Sequence, residues 1–325
     1  METMKRKDSI ARMGMKLLCT FLGMVLLIML GTTLVFRQYL EKINYTKSPN
    51  PEGGILAAFS AIELGSSSDR IGGTGSDLLN ILLVGQDARE GEEVARSDPM
   101  ILCTYNKATQ ELTMTSFLRD LYVPIPGHGS NRINAAYAFG GTSLLKKTID
   151  QNFAVAIDGC IEVDFAHFAE IIDQLGGVQI ELRQDEANVI NQQSGSSLTE
   201  GIQKLDGFQA LTYSRIRKLD MDGDVSRTNR QRKLMGAVVD SLRSVSIREM
   251  TPLIGKILPM LTTDLNRGQL FLYALDILPH LNDINIHSQK IPADGTFTDK
   301  TIDGMSVLVA DLDTQRRHLR STLLG

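Results

Sequence analysis

Residues 78–85, LLNILLVG, form an apolar run that is broken only by Asn80 and ends at a glycine. Strands that are buried on both faces of a sheet have continuous apolar sequences of this kind, whereas half-exposed strands alternate apolar and polar residues. The run therefore predicts a central strand, with Gly85 at the turn that ends it.

Extended and helical segments alternate along the rest of the chain. PMILCTYN (99–106) and ELTMTSFL (111–118) are separated only by KATQ, which predicts a hairpin. NAAYAFGGTSLLKKTIDQNF (134–153) predicts a helix in two pieces, broken at Gly140 and Gly141. The other predicted elements are the strands CIEVDF, VQIEL, INIHSQKIP and MSVLVADL, the helices AHFAEIIDQLG, DGFQALTYSR and RTNRQRKLMGAVVDSLRSV, and two helical stretches beyond Pro252. Together they predict an α/β fold, with a mixed central β-sheet and helices on both faces in an α-β-α arrangement.

The composition is that of a folded protein with a large core. The chain has 325 residues, of which 42% are hydrophobic, enough for one large domain or two small ones. The net charge of −4 makes any basic cluster a local feature, which disfavours a general polyanion-binding surface. Cys103 and Cys160 lie in apolar, strand-like contexts and are predicted to be buried thiols, while one disulfide between them stays open.

One segment near the N-terminus is long and apolar enough to cross a bilayer. Residues 17–36, LLCTFLGMVLLIMLGTTLVF, contain no charge, and 20 helical residues match a hydrocarbon core of about 30 Å. A cleaved signal peptide has a shorter apolar stretch followed by a small-residue site, whereas Arg37 follows here, so we expect an uncleaved anchor. The basic residues that precede the run are Lys5, Arg6, Lys7, Arg12 and Lys16. By the positive-inside rule, the N-terminus is cytoplasmic and the remainder extracellular.

This topology divides the chain into four predicted parts. A cytoplasmic tail comprises residues 1–16, and the single-pass transmembrane anchor comprises residues 17–36. Residues 37–76 are rich in turn-forming residues and predict an extracellular stalk. Residues 77–325 form the predicted extracellular folded domain.

The most strongly charged stretch is YSRIRKLDMDGDVSRTNRQRK (213–233), which contains seven basic side chains and three aspartates. If YSRIR is extended, Arg215 and Arg217 project from one face because side chains alternate in a strand. A helix that begins near Ser226 places Arg227 and Gln231 on one face. The aspartate that precedes this helix is Asp224.

Several functions compete for this stretch. A nucleic-acid patch, a calcium loop, an anionic-substrate site and a merely solvated helix face are all candidates. The calcium loop is disfavoured, because counting from Asp220 places Val225 and Gln231 where such a loop needs glycine and glutamate. We expect Asp220 and Asp222 to be solvated loop residues.

A second group of charged residues lies at the ends of the predicted strands. Asp87 and Arg89 follow the first strand, Arg96 and Asp98 precede the second, and Arg119 follows the third. Arg132 stands at a helix start. Strand ends are where α/β folds place their sites, and arginine forks bind phosphate bidentately. Arginines with carboxylates therefore predict a phosphate-rich ligand and a divalent cation.

At this point the sequence resembles a known family. The blocks that carry the likeness are NILLVGQDAR, RSDPMIL, TSFLRDLYVPIPG, RINAAYAFGG, VDFAHFAEIIDQLGGVQIEL and LDGFQALTYSRIRKLDMDGDVSRTNRQRK. They are similar, in order, to the blocks of the LytR-CpsA-Psr (LCP) family. The resemblance implies a membrane-anchored, Mg²⁺-dependent phosphotransferase that moves a glycopolymer, such as teichoic acid or capsule, from a polyprenyl-pyrophosphate carrier to peptidoglycan.

The resemblance also implies roles for individual residues. Asp87 and Asp98 match the magnesium-binding aspartates. The arginines that match pyrophosphate contacts are Arg96, Arg119, Arg215, Arg217 and Arg227. Asp224 and Gln231 match polar partners in that network, and Arg132 stands where many members have lysine.

The implied catalytic residues are Arg119, Asp98 and Asp224. The two aspartates are the candidates to accept the proton of the acceptor hydroxyl, and the choice between them stays open. Gln86 and Pro99 stand where the family commonly has small hydroxylated residues. The polyprenyl tail requires an apolar groove, which we expect from AAYAFGG and from FAHFAEIIDQL.

Three other functions remain as alternatives. A polyprenyl-pyrophosphate pyrophosphatase would use the same residues with water as the acceptor. A transcriptional attenuator is disfavoured because the predicted topology separates the basic stretch from DNA and no helix-turn-helix pattern precedes residue 17. A non-catalytic envelope regulator or polymer-binding anchor would not depend on Asp98 or Arg119.

Overall fold

The computed structural model describes residues 43–45, 70–73, 75–87, 96–217, 219–220 and 223–324. The predicted tail, the transmembrane run and most of the stalk lie outside these ranges. Within them, no helix is both long and apolar enough to cross a membrane.

Strands and helices alternate through the described residues. The strands are β1 (Asn44–Tyr45), β2 (Leu78–Asp87), β3 (Arg96–Asn106), β4 (Glu111–Phe117), β5 (Tyr122–Ile125), β6 (Gly129–Arg132), β7 (Gly159–Asp164), β8 (Val178–Leu182), β9 (Gly201–Leu205), β10 (Thr262–Thr263), β11 (Asn285–Ile291), β12 (Phe297–Ile302) and β13 (Met305–Ala310). The helices are α1 (Ile133–Phe153), α2 (Phe165–Gln174), α3 (Gln184–Ser194), α4 (Gly207–Ser214), α5 (Gly223–Ser244), α6 (Ile247–Ile257), α7 (Arg267–Ile277) and α8 (Leu312–Leu324).

The central sheet is mixed and has the strand order β1-β10-β7-β2-β3-β4-β11. Strand β2 is parallel to β7, and β4 is parallel to β11. Strand β3 runs antiparallel to β2 and to β4, which confirms the predicted hairpin. The C-terminal ends of β2, β7, β4 and β11 and the start of β3 therefore lie at one edge of the sheet. The charged strand ends of the sequence meet there.

Helices cover both faces of this sheet. In β2, Leu82 and Val84 are buried against a core that includes Leu145 of α1. Leu83 points to the other face, where it lines a cavity with Phe168 of α2 and Val238 of α5. A strand buried on both faces carries apolar residues at nearly every position, which explains the run LLNILLVG. Its one polar residue, Asn80, is buried and hydrogen-bonded to Thr104 and to the carbonyls of Ile71 and Ala156.

Gly85 does not end its strand, so the predicted turn at this residue is wrong. Strand β2 continues to Asp87, with a register shift between Val84 and Gln86. A Cβ at Gly85 would lie 2.6 Å from Cδ of Pro99 and 3.0 Å from the carbonyl oxygen of Asp98. Glycine is required here for close approach, because it lets the start of β3 pack on the end of β2.

Other sequence predictions are partly confirmed. The helix α1 does break at two glycines, since Gly140 and Gly141 have non-helical backbone angles. Helix α5 begins at Gly223, which is earlier than the predicted start near Ser226. Both Cys103 and Cys160 are free thiols, but only Cys160 is fully buried.

Candidate active site

The carboxylate of Asp98 is surrounded by guanidinium groups from separate parts of the chain. Its Oδ2 lies 2.8 Å from Nη2 of Arg227, 3.4 Å from Nη1 of Arg119 and 3.6 Å from Nη2 of Arg217. These residues come from α5, from the turn after β4 and from the segment after α4. We refer to these four residues as the Asp98 cluster.

The cluster combines a rigid part with an accessible part. The side chain of Arg227 is only 2% exposed and that of Asp98 is 17% exposed, whereas that of Arg217 is 52% exposed. Arg227 is fixed within helix α5, so its guanidinium is held in place before any ligand binds. The exposed arginine can reach a ligand from solvent.

A second ion pair connects the Asp98 cluster to the start of α1. Asp120 accepts from Nε of Arg119 at 3.4 Å and from Nη1 of Arg132 at 3.2 Å. Arg132 is the last residue of β6 and the N-cap residue of α1. The predicted position of Arg132 at a helix start is therefore correct, and Asp120 joins it to the site.

The other predicted site residues have different surroundings. The Cζ of Arg215 lies 4.8 Å from the ring centroid of Phe165, at the start of α2. The backbone at Arg215 is helical, with φ −101° and ψ −2°, so YSRIR is not extended and the predicted common face with Arg217 is wrong. Gln231 is buried and lines the cavity beside α5.

The side chains of Asp87, Arg96 and Asp224 lie outside the described part of the structure. The backbone register of β2 and β3 nevertheless places Asp87 opposite Arg96, two residues from Asp98 along β3. Among the described residues, no group of three His, Cys, Asp or Glu side chains forms a metal site. Asp98 and, by backbone register, its neighbour Asp87 are the carboxylates that could offer oxygen ligands to a hard cation at this edge of the sheet.

Asp220 is not the solvated loop residue that the sequence predicted. Its side chain is 16% exposed and forms ion pairs with Arg230 and, at 2.9 Å, with Arg183. Burial raises the pKa of Asp220, but hydrogen bonds from the two arginines outweigh this effect, and the pKa lies below its ordinary value. Arg230 also donates to Glu186 at 2.7 Å. Asp220 therefore connects the loop before α5 to Arg183, the N-cap residue of α3, and to Arg230 of α5.

An apolar cavity of about 410 Å³ opens beside the Asp98 cluster. Its walls are formed by the sheet and by helices α2, α5 and α6. Two of its lining residues adjoin the Asp98 cluster in sequence, since Pro99 follows Asp98 and Gln231 lies one helical turn after Arg227. Helix α2 thus supplies an apolar wall, whereas Ala135, Ala136 and Tyr137 of the AAYAFGG segment pack in the core on the opposite face of the sheet and Phe139 is exposed.

A buried polar group at the same edge was missed by the sequence analysis. The hydroxyl of Tyr137 donates to Glu162 at 2.6 Å, and Nε2 of Gln86 donates to the Tyr137 hydroxyl at 2.7 Å. Burial and the bond to Glu162 raise the pKa of Tyr137. The one sequence feature that could have indicated this buried group is the glutamate inside the apolar strand CIEVDF.

Comparisons with known proteins agree with the family resemblance of the sequence. The model of the LytR_cpsA_psr family matches residues 58–320. Over 181 residues the chain is 38% identical to the polyisoprenyl-teichoic acid–peptidoglycan teichoic acid transferase TagT of Bacillus subtilis (strain 168), covering 53% of this chain and 55% of TagT. Over 159 residues it is 37% identical to the regulatory protein MsrR of Staphylococcus aureus (strain COL), covering 48% of this chain and 47% of MsrR.

The structure is also similar to solved structures. A structure described as TagT bound to LIIa-WTA superposes with a TM-score of 0.65 at 27% sequence identity, covering 81% of this chain and 98% of that one. The alignments to the two curated relatives above span about half the length of each.

Proposed function

Since the chain belongs to the LytR_cpsA_psr family, we propose that it transfers a glycopolymer from a polyprenyl-pyrophosphate carrier to peptidoglycan. The observation that carries this proposal is the position of the apolar cavity beside the Asp98 cluster. A polyprenyl pyrophosphate has a hydrocarbon tail joined to a doubly charged head, and this site offers a matching surface to each part. The polymer is a teichoic acid, in line with the name of the relative TagT, or else a capsule or a related glycan.

The reaction requires neutralisation of the pyrophosphate. The acceptor hydroxyl of peptidoglycan attacks the phosphorus that bears the sugar, and the bond from that phosphorus to the polyprenyl phosphate breaks. Polyprenyl monophosphate leaves, and the polymer remains joined to the wall through a phosphodiester. Arg119, Arg217 and Arg227 stabilise the charge that develops on the phosphate oxygens. The acceptor proton is taken by a carboxylate, for which Asp98 and Asp224 are the candidates.

A magnesium ion is part of the proposal. Asp87 and Asp98 would hold it, and it would supply further positive charge to the pyrophosphate. Mn²⁺ binding, measured by electron paramagnetic resonance without any substrate, tests this assignment. We expect Asp98→Asn and Asp87→Asn each to weaken Mn²⁺ binding, and unchanged binding in both variants would remove the metal from the proposal.

We further propose that residues 17–36 anchor the protein in the cell membrane, with residues 77–325 outside the cell. Polyprenyl-linked donors reside in the membrane, so an anchor keeps the site close to them. Cysteine introduced at Ser68 should react with a membrane-impermeant maleimide in intact cells, and cysteine at Ser9 should react only after lysis. The opposite labelling pattern would reverse the topology.

The direct test of the function is a reconstituted transfer reaction. It contains the full-length protein in detergent, a radiolabelled teichoic acid on polyprenyl pyrophosphate, Mg²⁺ and purified peptidoglycan. We expect label on the peptidoglycan with the wild type and none with Arg119→Met. Loss of donor with no label on the peptidoglycan would favour a pyrophosphatase instead, and an intact donor would leave a binding or regulatory role.

A further inference from the structure

A second group of polar side chains lies between β4, β11 and helix α5. It shares no residue with the Asp98 cluster. Lys290 of β11 and Ser116 of β4 are partners in the parallel pairing. Their neighbours Ile291 and Phe117 are buried in the core on the α1 face. Because side chains alternate along a strand, Lys290 and Ser116 project to the opposite face.

Helix α5 covers that face. It packs on β4, and Ile101, the β3 partner of Ser116, lines the apolar cavity together with α5 residues. Arg232 lies on this helix and is 7% exposed. Arg232 interacts electrostatically with Asp294, and Asp294 forms an ion pair with Lys290. One carboxylate thus pairs with Lys290 and also acts electrostatically on Arg232.

The donors in this group have few acceptors. Nη2 of Arg232 donates to Asn229, but within the described ranges neither Nε nor Nη1 of Arg232 has a hydrogen-bond partner, and neither does Oγ of Ser116. Burial lowers the pKa of Arg232 to about 10, and Asp294 opposes this only in part. Buried donors without acceptors are rare in folded proteins, because each has lost its hydration.

The charges in the group are also unbalanced. Asp294 is the carboxylate that pairs with Lys290, and its side chain is 86% exposed while that of Lys290 is 8% exposed. The negative charge is therefore on the outside and the positive charge on the inside. Such a group is suited to an anion that has several acceptor oxygens.

We infer that Ser116, Arg232 and Lys290 form a second anion-binding subsite, which takes a phosphate group. The ligand enters from the side of Asp294 and displaces this carboxylate from Lys290. The subsite adjoins the Asp98 cluster, because the backbone N–H of Leu118, next to Arg119, donates to the carbonyl of Ile291 at 2.8 Å.

The chemistry of the polyprenyl-linked glycopolymer indicates where the phosphate comes from. A teichoic-acid-type polymer contains phosphodiesters along its length, so one of them can occupy this subsite while the pyrophosphate occupies the Asp98 cluster. This identification rests on the proposed function. The subsite itself does not, since it is defined by its own side chains.

Calorimetric titration of the full-length protein in detergent tests the subsite. The titrants are inorganic phosphate and a short glycerol phosphate oligomer, and every variant carries Arg119→Met to weaken the Asp98 cluster. We expect Arg232→Met to weaken the remaining binding about tenfold or more, since charge-assisted hydrogen bonds are lost. We expect Asp294→Asn to strengthen binding about two- to fivefold, because the competing carboxylate is neutralised.

The matched control is Arg317→Met, which removes an exposed arginine of α8 and should leave binding unchanged. Unchanged affinity in both Arg232→Met and Asp294→Asn would overturn the subsite. If Arg232→Met does not fold, Asp294→Asn decides the question alone, because only a subsite gains affinity from this exposed change.

Tighter binding of the oligomer than of inorganic phosphate supports the polymer as the source, and the reverse order overturns that source. Transfer activity is measured separately, so failure of the subsite and failure of the proposed function are distinguishable.

Discussion

At the scale of single residues, Asp98 determines how the arginines of the site are arranged. Three guanidiniums lie within 3.6 Å of it, although Arg119 is far in sequence from Arg217 and Arg227. Arginines that converge without a counterion would repel one another. The carboxylate therefore preorganises the cations, and a pyrophosphate meets donors that are already in position.

The geometry of the Arg119 fork can be tested with its charge kept. Arg119 reaches Asp98 through Nη1 and Asp120 through Nε, which a single ammonium group cannot do. We expect Arg119→Lys to lower the rate of transfer to peptidoglycan roughly 10- to 100-fold. The control Arg317→Lys should have the wild-type rate, and a wild-type rate in Arg119→Lys would show that charge alone suffices.

The ion pair between Glu186 and Arg230 is a structural feature of the helical layer. The two side chains are 6% and 5% exposed, so removal of one charge leaves the other buried. We expect Glu186→Gln to lower the free energy of unfolding by about 1–3 kcal/mol, measured by urea denaturation, because Arg230 loses a charge-assisted hydrogen bond but keeps its ion pair with Asp220. Asp313→Asn breaks the exposed pair with Arg316 and should cost less than about 1 kcal/mol. Equal costs for the two changes would contradict this account.

Asp220 should make the stability depend on pH. Its pKa is lower in the folded protein than in the unfolded chain, because the hydrogen bonds from Arg230 and Arg183 outweigh burial. A lowered folded-state pKa adds stability above the unfolded value of about 3.9, and this stability is lost as the pH falls through the folded value. The destabilisation caused by Asp220→Asn should therefore be larger at neutral pH than in acid. A difference that is constant with pH would exclude this role.

At the scale of elements, the break in helix α1 depends on glycine. Gly141 has φ +61° and ψ −157°, a conformation that is essentially restricted to glycine, while an added Cβ would meet no atom within 4 Å. We expect Gly141→Ala to lower the free energy of unfolding by about 1–3 kcal/mol through backbone strain. Thermal and urea unfolding measure this effect.

Helix α5 offers the matched control. Gly236 lies inside this helix, and a Cβ there would also meet no atom within 4 Å. We expect Gly236→Ala to raise the free energy of unfolding by about 0.4–1 kcal/mol, because alanine restricts the unfolded chain. Effects of the same sign at the two positions would contradict the distinction between a break and a regular helix.

Elements with a strong apolar pattern could be predicted from the sequence. The strand LLNILLVG and the hairpin that follows it are buried, so their sequences report their surroundings directly. The strands β9 and β12, with the sequences GIQKL and FTDKTI, could not be predicted because they have few buried residues, one in β9 and none in β12. Their partners β8 and β13 supply the apolar residues that hold these hairpins.

At the scale of the whole molecule, the topology of the sheet creates the site. Two parallel pairs flank β3, so the charged ends of four strands lie beside its first residues. The sequence indicated which residues lie at strand ends, and the family resemblance indicated their roles. Neither could predict that Arg215 turns toward Phe165 or that Asp220 is paired, because both depend on loop conformation and on contacts between distant segments.

The central claim is that the acceptor is peptidoglycan and not water. The most direct measurement runs the transfer reaction in H₂¹⁸O and follows the isotope in every phosphate product by mass spectrometry. We predict a phosphodiester between polymer and peptidoglycan and polyprenyl monophosphate, both without ¹⁸O, because the acceptor hydroxyl supplies the attacking oxygen. Phosphate products that carry ¹⁸O, with no polymer on the peptidoglycan, would contradict the account.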